Sequence, residues 1–229
     1  MRYSQYREEA IVGFSDYYSN TRTKEERVNL YSVFKRTLDI FGSLAGLILL
    51  SPLLAFVAIL IKLEDPSGSV IFYQTRVGKN ERLFRMYKLR SMYSNAEEKL
   101  KDLLDQNEIS GAMFKMRDDP RVTKVGKFIR KTSIDELPQL FNVLRGEMSL
   151  VGPRPPLTRE VAVYTNHDKK RLAVTPGCTG LWQVSGRNNL DFKQMVELDI
   201  TYIEKKCIIF DIRIILRTVK AMVGSKDAF

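Results

Sequence analysis

Two adjacent acids, Asp135 and Glu136, lie where this sequence is richest in charged and conformationally restricted residues. Arg130 and Lys131 come just before them, and Arg154 follows within the segment Gly-Pro-Arg-Pro-Pro. Because proline fixes the backbone, that segment is expected to be rigid and to hold Arg154 in one direction. A carboxylate pair among basic side chains suits phosphoryl chemistry, with one acid as nucleophile and the other as metal ligand.

The same acids also have a purely structural interpretation. Ser133-x-x-Glu136 matches a capping box, and Gly146 would end the helix that the box begins. Pro138 lies too deep for a helix that begins at Ser133, so Asp135 itself is the alternative cap. A carboxylate would then stand at a helix N-terminus, where backbone N–H groups also attract phosphate. Both interpretations predict a helix at about 135–145.

The charge balance indicates partners that carry phosphate. The chain has 37 Lys and Arg against 27 Asp and Glu, a formal net charge of +10. Such an excess is typical of proteins that bind nucleic acid, anionic lipid or nucleotides. His167 is the single histidine, which excludes a site with two imidazoles, and Cys178 and Cys207 form no CxxC pair. The first 30 residues are polar and do not resemble a secretory signal.

The apolar stretch from Ile40 to Leu63 is the strongest local signal. A straight helix of that length would reach ~36 Å, enough to cross a hydrocarbon core of ~30 Å. Ser51 and Pro52 lie at its midpoint, and we expect a kink there, with the Ser51 hydroxyl satisfying a backbone group that Pro52 frees. Basic residues flank both ends, which favours a helix that enters the membrane and returns over one that spans it.

Beyond this stretch the chain has the character of a folded soluble domain. Ser69–Gln74 and Leu83–Leu89 are short aromatic and β-branched runs that predict a β-hairpin. Helices are expected at 96–105, 158–171 and 192–205, and a loop at 111–124. The C-terminal stretch places a row of apolar residues opposite Arg213, Arg217 and Lys220, which suits an interfacial helix; an ordinary core-facing helix is the alternative.

The segment KTSIDELPQLFNVLRGEMSLVGPRPP resembles the signature of the bacterial sugar transferase family, the small monotopic phosphoglycosyl transferases. Further matching motifs, over about 31–229, are Lys35-Arg36-x-x-Asp39, Ser51-Pro52, Tyr87-Lys88-Leu89-Arg90-Ser91-Met92, Asp119-Pro120-Arg121-Val122-Thr123, Pro176–Arg187 and Glu197-Leu198-Asp199-x-x-Tyr202. We expect a minimal catalytic form, without the upstream transmembrane helices of longer family members.

The resemblance implies a reaction and roles for individual residues. Asp135 is the expected nucleophile, which attacks the β-phosphate of a UDP-sugar and releases UMP, and Glu136 is the expected Mg²⁺ ligand, with Mn²⁺ as a substitute. Polyprenyl (undecaprenyl) phosphate then accepts the sugar phosphate. The expected substrate- and phosphate-binding residues are Lys88, Arg130, Arg154, Arg187 and Asp199.

The resulting expectation is an α+β, mostly helical protein. It has a polar extension over 1–30, a re-entrant membrane helix hairpin over 31–63, and a cytoplasmic catalytic domain over 64–229 with a small β-hairpin and interfacial amphipathic helices. The expected location is the bacterial cytoplasmic membrane, in contact with membrane lipid, with homodimerisation left open. Residues 111–115 and 174–185 look most like those of family members that handle hexoses such as glucose or galactose, which is the expected donor, and an N-acetylated amino sugar is the alternative.

Two other functional classes compete with this one. A non-enzymatic membrane-anchored module could bind anionic lipid or nucleic acid through the net charge, but no nucleic-acid-binding motif is visible, and we expect no nucleic-acid partner. A lipid kinase would need a glycine-rich phosphate loop, which the sequence lacks. Release of UMP from a UDP-sugar separates the transferase from both.

Overall fold

The computed structural model describes residues 2–100, 103, 116, 119–186 and 190–224; side chains are described from Leu30 onward, except at 97, 100 and 222–224. The chain divides into two units, residues 1–38 and residues 39–229, and the second contains all the elements that follow the first helix. The described residues are mostly helical with two small sheets, which confirms the predicted class.

Helix α1 covers Arg2–Glu64 and includes residues 2–29, for which the sequence predicted no regular structure. From Leu30 to Glu64 it is long and apolar enough to cross a membrane. It contains Pro52 without a break in the helix, so the predicted return of the chain at this point stays a prediction. Ser51 Oγ donates to the carbonyl of Ile48 at 2.8 Å. This carbonyl lacks its usual helical donor, because Pro52 has no N–H. The hydrogen bond predicted for the Ser51 hydroxyl is therefore present, in a helix that continues through Pro52.

The predicted hairpin is present. Strand β1 (Ile71–Val77) and strand β2 (Leu83–Leu89) are antiparallel, with Ile71 opposite Leu89 and Val77 opposite Leu83. A turn of 3-10 helix, Lys79–Glu81, joins them. Alternation along β2 buries Leu89 and turns the neighbouring Lys88 to the other face.

Three short helices follow: α2 (Ala96–Leu100), α3 (Lys124–Lys131) and α4 (Gln139–Arg145). The predicted helix at 96–105 is confirmed as far as Leu100, and half of the predicted loop at 111–124 lies outside the described residues. The sequence did not predict α3. Thr123 caps it by accepting from Gly126 N at 2.8 Å, and the Glu64 carboxylate accepts from Lys124 N at 2.7 Å and Val125 N at 2.9 Å.

A second sheet, also not predicted, pairs β3 (Ser149–Val151) in parallel with β4 (Gly177–Thr179). The single helix predicted at 158–171 is wrong: α5 is only Thr158–Val161, and a 3-10 helix occupies Asp168–Ala173. Between them Thr165 N donates to Asp168 Oδ2 at 2.8 Å, and Asp168 N donates back to Thr165 Oγ1 at 3.2 Å. These local side-chain bonds compete with the helix.

The last two helices are α6 (Phe192–Lys205), as predicted, and α7 (Ile208–Gly224). Helix α7 buries Ile214 against Val151, Leu181 and Tyr202. Its apolar row of Ile212, Leu216 and Val219 is exposed. The helix therefore packs on the domain through one side and presents the predicted apolar face outward.

Candidate active site

The two acids lie in a single turn of 3-10 helix, Ile134–Glu136, between α3 and α4. Ser133 begins the turn in the left-handed region, with φ 56°, and its side chain caps nothing. Helix α4 begins only at Gln139, after Pro138, so Asp135 does not cap it either. Neither predicted capping arrangement is present. Asp135 is 6% exposed, whereas Glu136 is half-buried.

Lys88, on β2, forms ion pairs with both acids. Its Nζ lies 2.7 Å from Glu136 Oε1 and 3.8 Å from Asp135 Oδ2. The sequence predicted Lys88 near the phosphates, and the structure brings it to both acids across 48 residues of chain. One ammonium therefore neutralises part of the charge of two adjacent carboxylates.

The carboxyl of Asp135 titrates abnormally. Burial raises its pKa, the charge of Lys88 opposes this increase, and the charge of Glu136 adds to it. The resulting pKa is about 6. Arg130, in the last turn of α3, also lowers this pKa, so its guanidinium acts on the site. At neutral pH most of the carboxyl groups are ionised, and the poor solvation of the anion makes it a better nucleophile.

Arg154 lies in a loop that is hydrogen-bonded on both sides. On one side Gly152 N donates to Thr179 O at 2.8 Å and Gly177 N donates to Pro153 O at 2.9 Å. Glycine is needed at 177, because a Cβ there would collide with the backbone of Gly152. The other side of the loop is held by β1.

On that side the two prolines after Arg154 contact the hairpin through their carbonyls. Val77 N donates to Pro156 O at 2.9 Å, and Arg76 Nη1 donates to Pro155 O at 3.2 Å. The predicted rigidity of the Gly-Pro-Arg-Pro-Pro segment therefore has a physical basis, since its backbone is fixed by four hydrogen bonds.

These groups surround one open cleft. Its polar lining consists of Lys88, Glu136, Gln139, Arg154, Cys178 and Gln183. Asp135 stands just behind this lining, next to Lys88. Burial raises the pKa of the Cys178 thiol, so that group is neutral. Two cations, one acid, two amides and a nearby buried carboxylate form a site suited to an anionic ligand.

The other predicted site residues lie elsewhere. Asp199 is fully buried on α6 and pairs with Arg171, and neither residue lines the cleft. Burial tends to lower the pKa of Arg171, but the charge of Asp199 and hydrogen bonds raise it overall, so the pair is ionised. Arg187 lies outside the described residues. Ser51 and Pro52 are exposed on α1.

Sequence reasoning missed several residues that build the site. Gln139 and Gln183 line the cleft, and Asn142 is completely buried beneath it. Asn142 accepts from Tyr87 N at 3.0 Å and donates to Arg85 O at 2.7 Å, so its amide pairs with the edge of β2 as a third strand would. No pattern signals that role, since it depends on which helix lies beside β2.

Mg²⁺ fits the donor set only in part. Among the described residues, no group of three or more His, Cys, Asp or Glu side chains could hold a metal ion. Asp135 and Glu136 are hard oxygen donors beside cations that suit phosphate. Mg²⁺ commonly binds through one or two carboxylates and completes its shell with substrate phosphates and water. Glu136, which lines the cleft, is the better placed of the two acids to hold it.

Comparison with known proteins places these features in a family. Residues 30–225 match the family described as bacterial sugar transferase. The galactosyl transferase CpsE of Streptococcus agalactiae is 49% identical over 94% of this chain and 48% of its own. The undecaprenyl-phosphate galactose phosphotransferase of Salmonella typhimurium is 45% identical over 85% of this chain and 41% of its own.

A third relative carries a different sugar in its name. The undecaprenyl-phosphate glucose phosphotransferase of Komagataeibacter xylinus is 45% identical over 85% of this chain and 37% of its own. The chain thus spans less than half the length of these three relatives. With the family match extending over nearly all of its described residues, the chain belongs to the bacterial sugar transferase family.

Proposed function

We propose that this chain transfers a sugar-1-phosphate from a UDP-sugar to undecaprenyl phosphate through a covalent intermediate on Asp135. The observation that carries the proposal is the placement of Asp135 and Glu136 against Lys88, at the edge of a cleft that Arg154 also lines. A non-enzymatic lipid-binding module would need the basic residues but has no use for a buried carboxylate with a raised pKa.

The first step is a displacement at the β-phosphorus of the donor. An Asp135 carboxylate oxygen forms a bond to this phosphorus, and the bond from phosphorus to the oxygen bridging it to the α-phosphate breaks. The bridging oxygen leaves with the electron pair as part of UMP. The product is an aspartyl-phosphosugar, a mixed anhydride that remains reactive towards a second phosphate.

The second step repeats the displacement with a different nucleophile. An oxygen of undecaprenyl phosphate attacks the same phosphorus, and the Asp135 carboxylate leaves unchanged. The product is undecaprenyl-diphosphate sugar. Splitting the transfer lets a water-soluble nucleotide and a lipid use the same site in turn.

The surrounding residues stabilise charge at the reacting phosphate. Lys88 has three N–H donors, so it can add a phosphate oxygen to its two carboxylate contacts and bring the phosphorus to the edge of Asp135. Arg154, fixed by its loop, and Arg130, close to the acids, supply further positive charge. Mg²⁺ held by Glu136 would neutralise the diphosphate and assist departure of UMP.

Contacts at both ends of the apolar part of α1 bear on the proposed membrane arrangement. Near its start, Asp39 accepts from Leu150 N at 2.8 Å and Ser149 Oγ at 3.0 Å. Near its end, Val57 and Ile61 pack in a core cluster with Leu89 and Ile129.

The middle of the stretch is different. Ile48 and Leu49, just before Pro52, are 64% and 78% exposed. A helix that spans the bilayer could not touch one catalytic domain at both ends. These contacts therefore argue against a spanning helix. The proposed anchor is re-entrant, with the exposed apolar row of α7 resting in the interface and, because basic residues flank both ends of the apolar stretch, with the domain on the cytoplasmic face of the inner membrane.

The proposed donor is a UDP-hexose, galactose or glucose, and the names of the three relatives support this choice. The test is a screen of UDP-galactose, UDP-glucose and UDP-N-acetylated sugars with undecaprenyl phosphate, in which UMP release is measured. We expect UMP with at least one hexose donor and none with Asp135→Asn. Absence of UMP with every donor would contradict the proposal.

A further inference from the structure

Arg76, on β1, is a buried cation whose hydrogen-bond acceptors are neutral groups. It is 5% exposed. Its guanidinium donates to the Pro155 carbonyl at 3.2 Å and to Gln74 Oε1 at 2.7 Å, and both acceptors are neutral. Its Nε has no hydrogen-bond partner, and it forms no salt bridge with any described residue. Burial of a charge with only neutral partners is costly, so the position requires an explanation.

The charges around Arg76 are of both signs. Burial and the charges of Arg154 and Arg159 lower its pKa to about 10, while the charges of Glu160 and Glu136 raise it. The group is still protonated at neutral pH. Among the charged neighbours Arg154 has the largest effect, and an anion bound between Arg154 and Lys88 would relieve the repulsion between the two guanidinium groups.

Arg76 also fixes the backbone beside Arg154. Pro155, whose carbonyl it holds, is the next residue in the chain and lines the cleft. Arg76 does not itself line the cleft. Its influence on a ligand must therefore pass through the Pro155 carbonyl and through its electric field.

We propose that Arg76 is a positioning residue for the diphosphate of the nucleotide sugar, an inference that rests on the proposed function. Its hydrogen bond to Pro155 fixes the direction of Arg154. Its buried charge strengthens binding of the diphosphate without touching it. The two contributions are separable, because lysine would keep the charge but lose the two-pronged donation to Pro155 and Gln74.

The experiment measures UDP binding to the full chain in detergent micelles by calorimetry. Arg76→Gln is expected to weaken UDP binding by about tenfold, because it removes the field of a buried charge. The matched control is Arg85→Gln, which removes an exposed arginine from the other strand of the same hairpin and should leave UDP binding unchanged. A folded Arg76→Gln protein that binds UDP as the wild type does would overturn the charge contribution.

Arg76→Lys tests the positioning contribution. It also keeps the inference testable if the Arg76→Gln protein does not fold. We expect UDP affinity close to that of the wild type with a kcat for UMP release about tenfold lower, because the residue next to Arg154 loses one of the four hydrogen bonds that fix the loop. An unchanged kcat would overturn the positioning role. UDP binding is an equilibrium measurement, so it can be made even if no UMP is released. Absence of UMP release would count against the proposed function, whereas unchanged UDP binding in Arg76→Gln would count against this inference.

Discussion

Lys88 Nζ lies 3.8 Å from Asp135 Oδ2, so the hairpin and the turn that carries the acids are joined by an ion pair at the reactive carboxylate. Because the pair is largely buried, the interaction is poorly screened by water. It lowers a pKa that burial would otherwise raise further.

The pH dependence of the first step should report this pair. Asp135 must be ionised to attack, and its pKa lies near 6 rather than at its ordinary 3.8, so kcat/KM should fall as pH decreases through about 6. Lys88→Gln removes a cation that lowers this pKa, so the acid limb should move to higher pH. Lys79→Gln, at an exposed position of the same hairpin, should leave the profile unchanged. An unmoved acid limb in Lys88→Gln would contradict the assignment.

We expect Asn142 to contribute strongly to stability, although it does not line the cleft. It is 0% exposed, and Asn142→Leu would leave Tyr87 N and Arg85 O without partners. We expect a loss of about 2–3 kcal/mol in the free energy of unfolding, measured by denaturant titration in detergent. Asn166→Ala, at an exposed asparagine in a turn, should change it by less than about 0.5 kcal/mol. Equal effects of the two variants would show that the contacts of Asn142 contribute little.

The requirement for a divalent ion can be tested by removing it. Activity should disappear in excess EDTA and return with Mg²⁺ or Mn²⁺, because Glu136 and phosphate oxygens prefer small, hard ions. Ca²⁺, which is larger and less demanding in geometry, should restore less. Full activity in excess chelator would exclude the metal from the mechanism.

The folded structure shows which of these features can be seen in a sequence. The hairpin follows from alternating aromatic and β-branched residues, and α6 begins where Asp191 accepts from Gln194 N. The replacement of the missing Pro52 donor by Ser51 also follows from local chemistry, since the hydroxyl and the Ile48 carbonyl are three residues apart.

Other features depend on contacts between distant segments. Strands β3 and β4 are three residues each and pair across a long connection, so neither has a periodic signal. The acids themselves were visible, but the burial of Asp135 was not, because it depends on where β2 places Lys88. Asp199 is a related case: its acidic character is plain in the sequence, whereas its pairing with Arg171 is a tertiary contact.

The topology of α1 can be tested by labelling. In a background without Cys178 and Cys207, single cysteines at Ser4 and Ser94 should be equally protected from an impermeant thiol reagent in intact cells, because a re-entrant anchor leaves both on the cytoplasmic side. Pro52→Ala should straighten the helix and expose the Ser4 position in part of the population. Labelling of the Ser4 position in the unaltered helix would establish a spanning segment.

Direct detection of the covalent intermediate tests the central claim. The protein is incubated with the UDP-sugar that supports UMP release, without undecaprenyl phosphate, and its peptides are analysed by mass spectrometry. We predict a mass increase of one hexose phosphate on Asp135, its absence in Asp135→Asn, and its removal when undecaprenyl phosphate is added. Hexose phosphate on another residue, or full transfer to the lipid by Asp135→Asn, would contradict the account.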